Sequence, residues 1–168
     1  MEKMIFFESD CSGQYYDDFL DYAFSSNDYF MLVYVNYKQR GYTQTQSYFK
    51  KALSPYKVKT RTNPSWPGTL RTIRPNATYQ IVFYRTDDEA KKILKEMRSL
   101  WDWSSPQNAE DLAFFKGDQC WFYSVGHEKI AAIIHANKND RIFITSLGLT
   151  VRNIDYDPYY DAYNESIE

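Results

Sequence analysis

The sequence predicts an α+β fold: a single compact domain with a small mixed or antiparallel sheet of about four strands and helices packed on one face. Three observations predict it. Residues 29–37 form an almost unbroken apolar, aromatic and β-branched run. Residues 78–85 form a second such run, and residues 86–100 carry a capped amphipathic helix pattern. The chain has 168 residues, enough for one domain with a real core.

Taken in order, residues 14–24 place Tyr16, Phe19, Leu20 and Ala23 at helical spacing, with Asp17, Asp18 and Asp21 on the other side. The run Tyr29 to Tyr37 suits a central strand covered on both faces. Residues 43–53 form a second helix, with Thr45, Phe49, Ala52 and Leu53 inward, ended by Pro55. Pro64, Pro67, Gly68 and Pro75 make residues 56–77 a long loop. The strand at 78–85 follows.

Thr86 and Glu89 then make a capping box. Ala90, Ile93, Leu94, Met97 and Leu100 form the buried stripe of a helix over 86–100. Residues 101–118 are a second connection, with a short turn opened at Asn108 or Glu110. Residues 119–125 and 129–136 are strands joined at Gly126-His127. Residues 140–147 suit either a helix capped by Asp140 and ended by Gly148 or a strand. The domain spans 1–152, and 153–168 is an acidic, Tyr-rich, partly mobile tail.

Charge is segregated along the chain. Residues 1–28 hold seven acids and one base, whereas residues 29–86 hold ten bases and no acid. The carboxy-terminal stretch is acidic again. A basic block concentrates anions, unless the acidic ends fold back and neutralise it. Within this block, Asn63-Pro64-Ser65-Trp66-Pro67-Gly68-Thr69-Leu70-Arg71 makes a rigid loop around one Trp, with Arg61, Arg71 and Arg74 beside it. Trp stacks on a base and Arg forks onto phosphate; alternatively, Trp66 caps the core while the prolines shape the turn.

No phosphate-binding glycine motif, nucleophile elbow or zinc-protease motif is present. The two histidines, His127 and His135, and the two cysteines, Cys11 and Cys120, form neither a metal-ligand pattern nor a disulfide framework. Asp102, Glu110, Asp111 and Glu128 do not by themselves specify a carboxylate pair. With no secretion signal and no spanning apolar run, the chain is expected in the cytoplasm, with no membrane contact. A pI near 5.7 disfavours general DNA binding.

Four segments resemble a family of small uncharacterised soluble proteins of Gram-positive bacteria and their phages. They are Asp28-Tyr29-Phe30-Met31-Leu32-Val33, Trp66-Pro67-Gly68-Thr69, Trp101-Asp102-Trp103 through Glu110-Asp111-Leu112-Ala113-Phe114, and Cys120-Trp121 through His127-Glu128. Some members carry the label stage III sporulation protein AH, whose authentic bearer is membrane-anchored, unlike this chain. The resemblance implies one soluble domain of bacterial or phage origin, with no catalytic residues to carry over. It marks Trp66 to Thr69 and His127-Glu128.

The expected function is a non-enzymatic binder or inhibitor of bacterial or phage conflict. It would hold an anionic, nucleotide-like signal or an effector protein's acidic surface through residues 29–86. The expected ligand-binding set is Arg61, Trp66, Thr69, Arg71, Arg74, Trp103 and His127, with no cofactor and no metal. The alternatives are an immunity or partner-binding protein using its acidic ends, and a small enzyme acting on a nucleotide or phosphoester. A homo-oligomer is compatible with either.

Overall fold

The chain wraps one large antiparallel sheet, seen in a computed structural model that describes residues 4–8, 10–71 and 74–154. In chain order the elements are β1 (Met4–Phe7), α1 (Gln14–Ser26), β2 (Tyr29–Tyr37), α2 (Gln44–Ala52), β3 (Lys57–Thr62), β4 (Ser65–Trp66) and β5 (Thr69–Leu70). There follow β6 (Ala77–Arg85), α3 (Asp88–Leu94), β7 (Glu110–Lys116), β8 (Gln119–Val125), β9 (Ile130–Ile133), α4 (Lys138–Ser146) and β10 (Val151–Ile154). Eight strands join in the order β10-β1-β9-β8-β7-β2-β6-β3, and β4-β5 is a separate hairpin. The expected sheet of about four strands is therefore corrected to one of eight. The acidic tail from residue 155 onward lies outside the described residues, and Asn153 and Ile154 belong to β10.

Four strands of the large sheet, besides the short β4-β5 hairpin, escape the sequence pattern, each for a physical reason. The segment β3, Lys-Val-Lys-Thr-Arg-Thr, is an edge strand, mostly exposed, whose charged residues leave no apolar face to read. The segments β1 and β10 have four residues each and exist because they pair with each other, β1 also pairing with β9. The strand β7 was expected to be a loop with a short turn, because two acids open it; instead it pairs with both β2 and β8.

The helix expected over 86–100 is shorter. Thr86 does not cap it: its hydroxyl donates to the carbonyls of Asn27 and Asp28, at 2.7 and 3.0 Å. Asp87 is the cap, accepting from Glu89 N at 2.9 Å. The helix stops after Leu94, and a separate 3-10 turn, Leu100–Asp102, starts from Ser99. Asp102 Oδ2 accepts from the Arg98 and Ser99 amides, so a second cap signal inside the apolar stripe divides it. In α2, Thr43 caps the helix and Gln46 is buried, whereas Thr45 faces outward. The ambiguous segment at 140–147 is helical, capped by Asn137 with Asp140 returning the bond.

Strand alternation divides the core in two. Phe30, Leu32 and Tyr34 of β2 join residues of all four helices in one cluster. Met31, Val33 and Val35 join Trp66 and alternate residues of β6, β7 and β8 in the other. Both faces of β2 are thus buried, and each fully buried large apolar side chain contributes about 1.5–3 kcal/mol. Buried hydroxyls and amines find partners: Tyr34 and Tyr84 share a hydrogen bond of 2.7 Å, and Tyr16 donates to Leu94 O. No helix of the described residues is long and apolar enough to cross a membrane.

Two glycines separate close approach from backbone conformation. A Cβ on Gly126 would lie 2.0 Å from Trp103 O, whereas one on Gly117, at φ +58, meets nothing within 4 Å. Gly117→Ala is expected to cost about 1 kcal/mol and Gly126→Ala about 3 kcal/mol or more, read from urea unfolding midpoints. Equal losses would show that Trp103 yields. Both cysteines are buried, and burial pushes the Cys11 thiol up to about 12 and raises Cys120 as well. A disulfide reagent should therefore label neither in the native protein and both after unfolding; rapid native labelling would contradict this packing.

Candidate functional site

The β4-β5 hairpin folds back onto the start of β7, and that junction builds the site. Pairing of β7 with β2 matches Met31 to Ala113 and Val33 to Glu110, so Asp111 and Leu112 together oppose Leu32. This is a β-bulge, and Asp111 sits in it at φ 59. Asp tolerates this left-handed conformation better than most residues. Successive strand residues normally face opposite ways; the bulge lets the neighbouring Glu110 and Asp111 side chains stay close together.

Asp111 is fully buried, at 0% exposure. Its Oδ2 accepts from Trp66 Nε1 at 2.8 Å and from the Thr69 hydroxyl at 3.1 Å; its Oδ1 accepts from Gly126 N at 3.0 Å. One carboxylate thus holds the hairpin and the β8-β9 turn, Gly126–Glu128, against β7. Burial raises its pKa, and the bonds from Trp66, Gly126 and Thr69 oppose that rise. Gly68 is required in the hairpin: at φ +86, a Cβ there would meet Tyr123 and Val125 of β8 at 2.7 and 2.8 Å.

Glu110 is 1% exposed and pairs with Arg71, whose other terminal nitrogen donates to Tyr37 OH at 3.2 Å. The Arg71 guanidinium lies over the Trp66 and Tyr79 rings, 5.6 and 5.7 Å from their centroids. Glu110 Oε2 is buried with no hydrogen-bond partner among the described residues. The Ser105 hydroxyl is near enough to favour the charged form but does not make a well-formed bond. Burial, reinforced by Asp111 and opposed by Arg71, pushes the Glu110 carboxyl up to about 7. His127, 46% exposed, puts Nδ1 3.7 Å from Glu110 Oε1 and Nε2 3.6 Å from Glu128 Oε1. One ligating atom each from Glu110, Asp111 and His127 falls within 4.8 Å of the others.

These groups border an open cleft of about 930 Å³. Arg40, Arg71 and Arg74 line it together with Tyr37, Thr69, Glu110, His127 and Glu128. Of the expected binding set, the fold brings Thr69, Arg71, Arg74 and His127 to one opening. Trp66, 1% exposed, is a wall behind the cleft and not a free stacking platform. Trp103 is buried in the helix-side core and donates to Tyr16 OH at 3.0 Å. Arg61 is not among the lining residues; its guanidinium donates to Ser65 O at 3.1 Å and braces the hairpin.

Sequence reasoning missed Tyr37, Arg40 and the Glu110-Asp111 pair. The available signal was two adjacent acids at the head of an otherwise apolar stretch. Among the acidic-end residues, Asp21 pairs with Lys91 and Lys95, and Glu8 with Arg152, all outside the basic block.

Comparison with protein-family models finds no match, and neither does comparison with curated proteins or with solved structures.

Folded Glu110 holds its proton up to about pH 7, against 4.5 for the ordinary group. Its contribution therefore favours folding at low pH and is lost as pH rises through 7, because the native state binds the extra proton. Glu110→Gln does not titrate. In chelator-containing buffer, its unfolding midpoint should fall less than wild type's between about pH 5 and about pH 8. Parallel profiles would assign the buried pair's proton elsewhere.

Proposed function

We propose that the cleft binds a phosphate-bearing small molecule of the nucleotide class. The observation that carries this reading is the convergence of Arg40, Arg71 and Arg74 on one opening from two separate connections. Arg40 follows β2, Arg71 follows β5, and Arg74 precedes β6. Arg71 is the preorganised member, held in plane by Tyr37 and the two aromatic rings behind it. Its planar fork suits phosphate oxygens better than a lysine would. Arg40 and Arg74 are exposed and supply attraction at longer range. Tyr37 takes the place at the cleft that the sequence suggests for Trp66. A protein of this kind can serve bacterial or phage conflict by holding a nucleotide signal.

A second reading, a small enzyme acting on a nucleotide or phosphoester, is favoured by one observation. Glu110 and His127 stand side by side in the same cleft as the arginines, and a carboxylate near neutrality beside an imidazole is equipment for proton transfer.

Calorimetry with pyrophosphate, ADP and uncharged adenosine tests the binding reading. The phosphate compounds should bind and adenosine should not. Added salt should weaken binding, and the Arg40→Ala/Arg74→Ala pair should weaken it tenfold or more. Absence of binding by every phosphate compound, or indifference to the double substitution, would sink the reading. Turnover of a bound compound, abolished by His127→Ala, would select the enzymatic form.

A further inference from the structure

We infer that Glu110, Asp111 and His127 form a site for one divalent transition-metal ion, with Glu128 as the outer partner of the histidine. Four features of the cleft lead there.

The first is spacing. The three ligating atoms already lie within 4.8 Å of one another. Ligands held at about 2.0–2.2 Å from a common ion sit at most about 4.4 Å apart. His127, half-exposed, is the member of the set with room to rotate toward the two buried carboxylates.

The second is the unpartnered oxygen. Glu110 Oε2 is buried without a hydrogen bond among the described residues. Burying a carboxylate oxygen with nothing to receive its lone pairs is costly, and coordination would supply the missing partner. Arg71 bonds the other oxygen, Oε1, which leaves Oε2 open to an ion.

The third is charge. When both are ionised, two adjacent buried carboxylates face one guanidinium, which leaves a negative charge uncompensated beside a half-exposed imidazole. A divalent ion reverses that sign. It also explains how an anion-binding cleft tolerates Glu110 and Asp111 at its floor: with the ion in place, the carboxylates become part of a cationic surface.

The fourth is the histidine's setting. His127 turns Nδ1 toward Glu110, while Nε2 faces the Glu128 carboxylate. A small movement of the exposed Glu128 side chain would close the 3.6 Å separation and give the carboxylate–histidine–metal arrangement, in which the outer carboxylate fixes the ring's tautomer and makes it a better ligand. Asp111 keeps its structural bonds and still has capacity at Oδ1, which accepts only the Gly126 amide.

A set of two oxygens and one imidazole nitrogen suits Zn²⁺, Mn²⁺, Fe²⁺ or Co²⁺. Mg²⁺ and Ca²⁺ prefer oxygen throughout. Three protein ligands leave positions open for water or for a phosphate oxygen. The ion site stands on its own residues; the contact with phosphate rests on the anion-binding reading above.

The test uses the full chain, stripped with a chelator and dialysed, then titrated with Zn²⁺ or Mn²⁺ by calorimetry. Co²⁺ is added separately to read the ligand field by visible absorption. One ion per chain should bind. Glu110→Gln and His127→Ala should each weaken it tenfold or more, and Glu128→Gln by about tenfold. Circular dichroism establishes that each variant is folded, and His127→Ala, altering a half-exposed side chain, serves should Glu110→Gln unfold. No stoichiometric uptake, or uptake unchanged in both ligand variants, overturns the site. Pyrophosphate is titrated with and without the ion. Anion binding without any ion uptake overturns the metal site and leaves the cleft reading intact. Ion uptake without anion binding supports the site and overturns the cleft reading instead.

Discussion

The Asp111 carboxylate receives Trp66 Nε1, the Thr69 hydroxyl and the Gly126 amide, from two different loops, while sitting at 0% exposure. Removing a charged carboxylate from water costs several kcal/mol, and a non-glycine residue at positive φ costs about 1–3 kcal/mol more. Three hydrogen bonds to a charged acceptor, at about 1.5–3 kcal/mol each, are of the size needed to offset those costs. The geometry of the cleft follows from this one group. It seats the hairpin that delivers Arg71, it holds the turn that delivers His127, and the bulge it occupies keeps Glu110 at its side.

The hairpin's composition makes sense as a strut. Gly68 lets the backbone approach Tyr123 and Val125 closer than any side chain would permit, and Trp66 fills the space beneath with its indole N–H turned to Asp111. A Trp between two prolines looks like a stacking surface when only the sequence is in view. Its burial comes from a partner 45 residues away, and no local pattern announces such a partner. The arginines beside it were legible as a group because the stretch from 29 to 86 lacks acids. Which arginine faces the cleft was not legible, since Arg61 in β3 and Arg71 after β5 flank the hairpin and only the fold distinguishes them.

The same division runs through the fold. The helix α1, the strands β2, β6, β8 and β9, and the turn at Gly126-His127 follow from period, capping and β-branched content, all local properties. The strands β1, β3 and β10 are too short or too polar to declare themselves, and they are strands because a neighbour offers an edge. The strand β7 is the instructive case. Its leading Glu110 and Asp111 look like loop residues because acids are rarely buried, and they are buried here because the site is built on them. Local rules fail at Asp111 because the three donors that hold it, from Trp66, Thr69 and Gly126, are distant in sequence.

Arg71 is likewise held by partners distant in sequence. A free arginine must give up rotamer entropy to grip an anion. Arg71 has already lost it to Tyr37, Glu110 and the faces of Trp66 and Tyr79. Its restraint belongs to the folded state, where the Asp111 network pins the Trp66 ring and the hairpin beneath it. Arg40 and Arg74, exposed at the rim, act at range and keep their freedom. Were the cleft to bind an anion as proposed, this arrangement would give encounter rate from its rim and selectivity from its floor. On the proposed anion-binding reading the floor would discriminate, because Glu110 already occupies Arg71: an incoming anion would either compete with that carboxylate or need a further positive charge to share it.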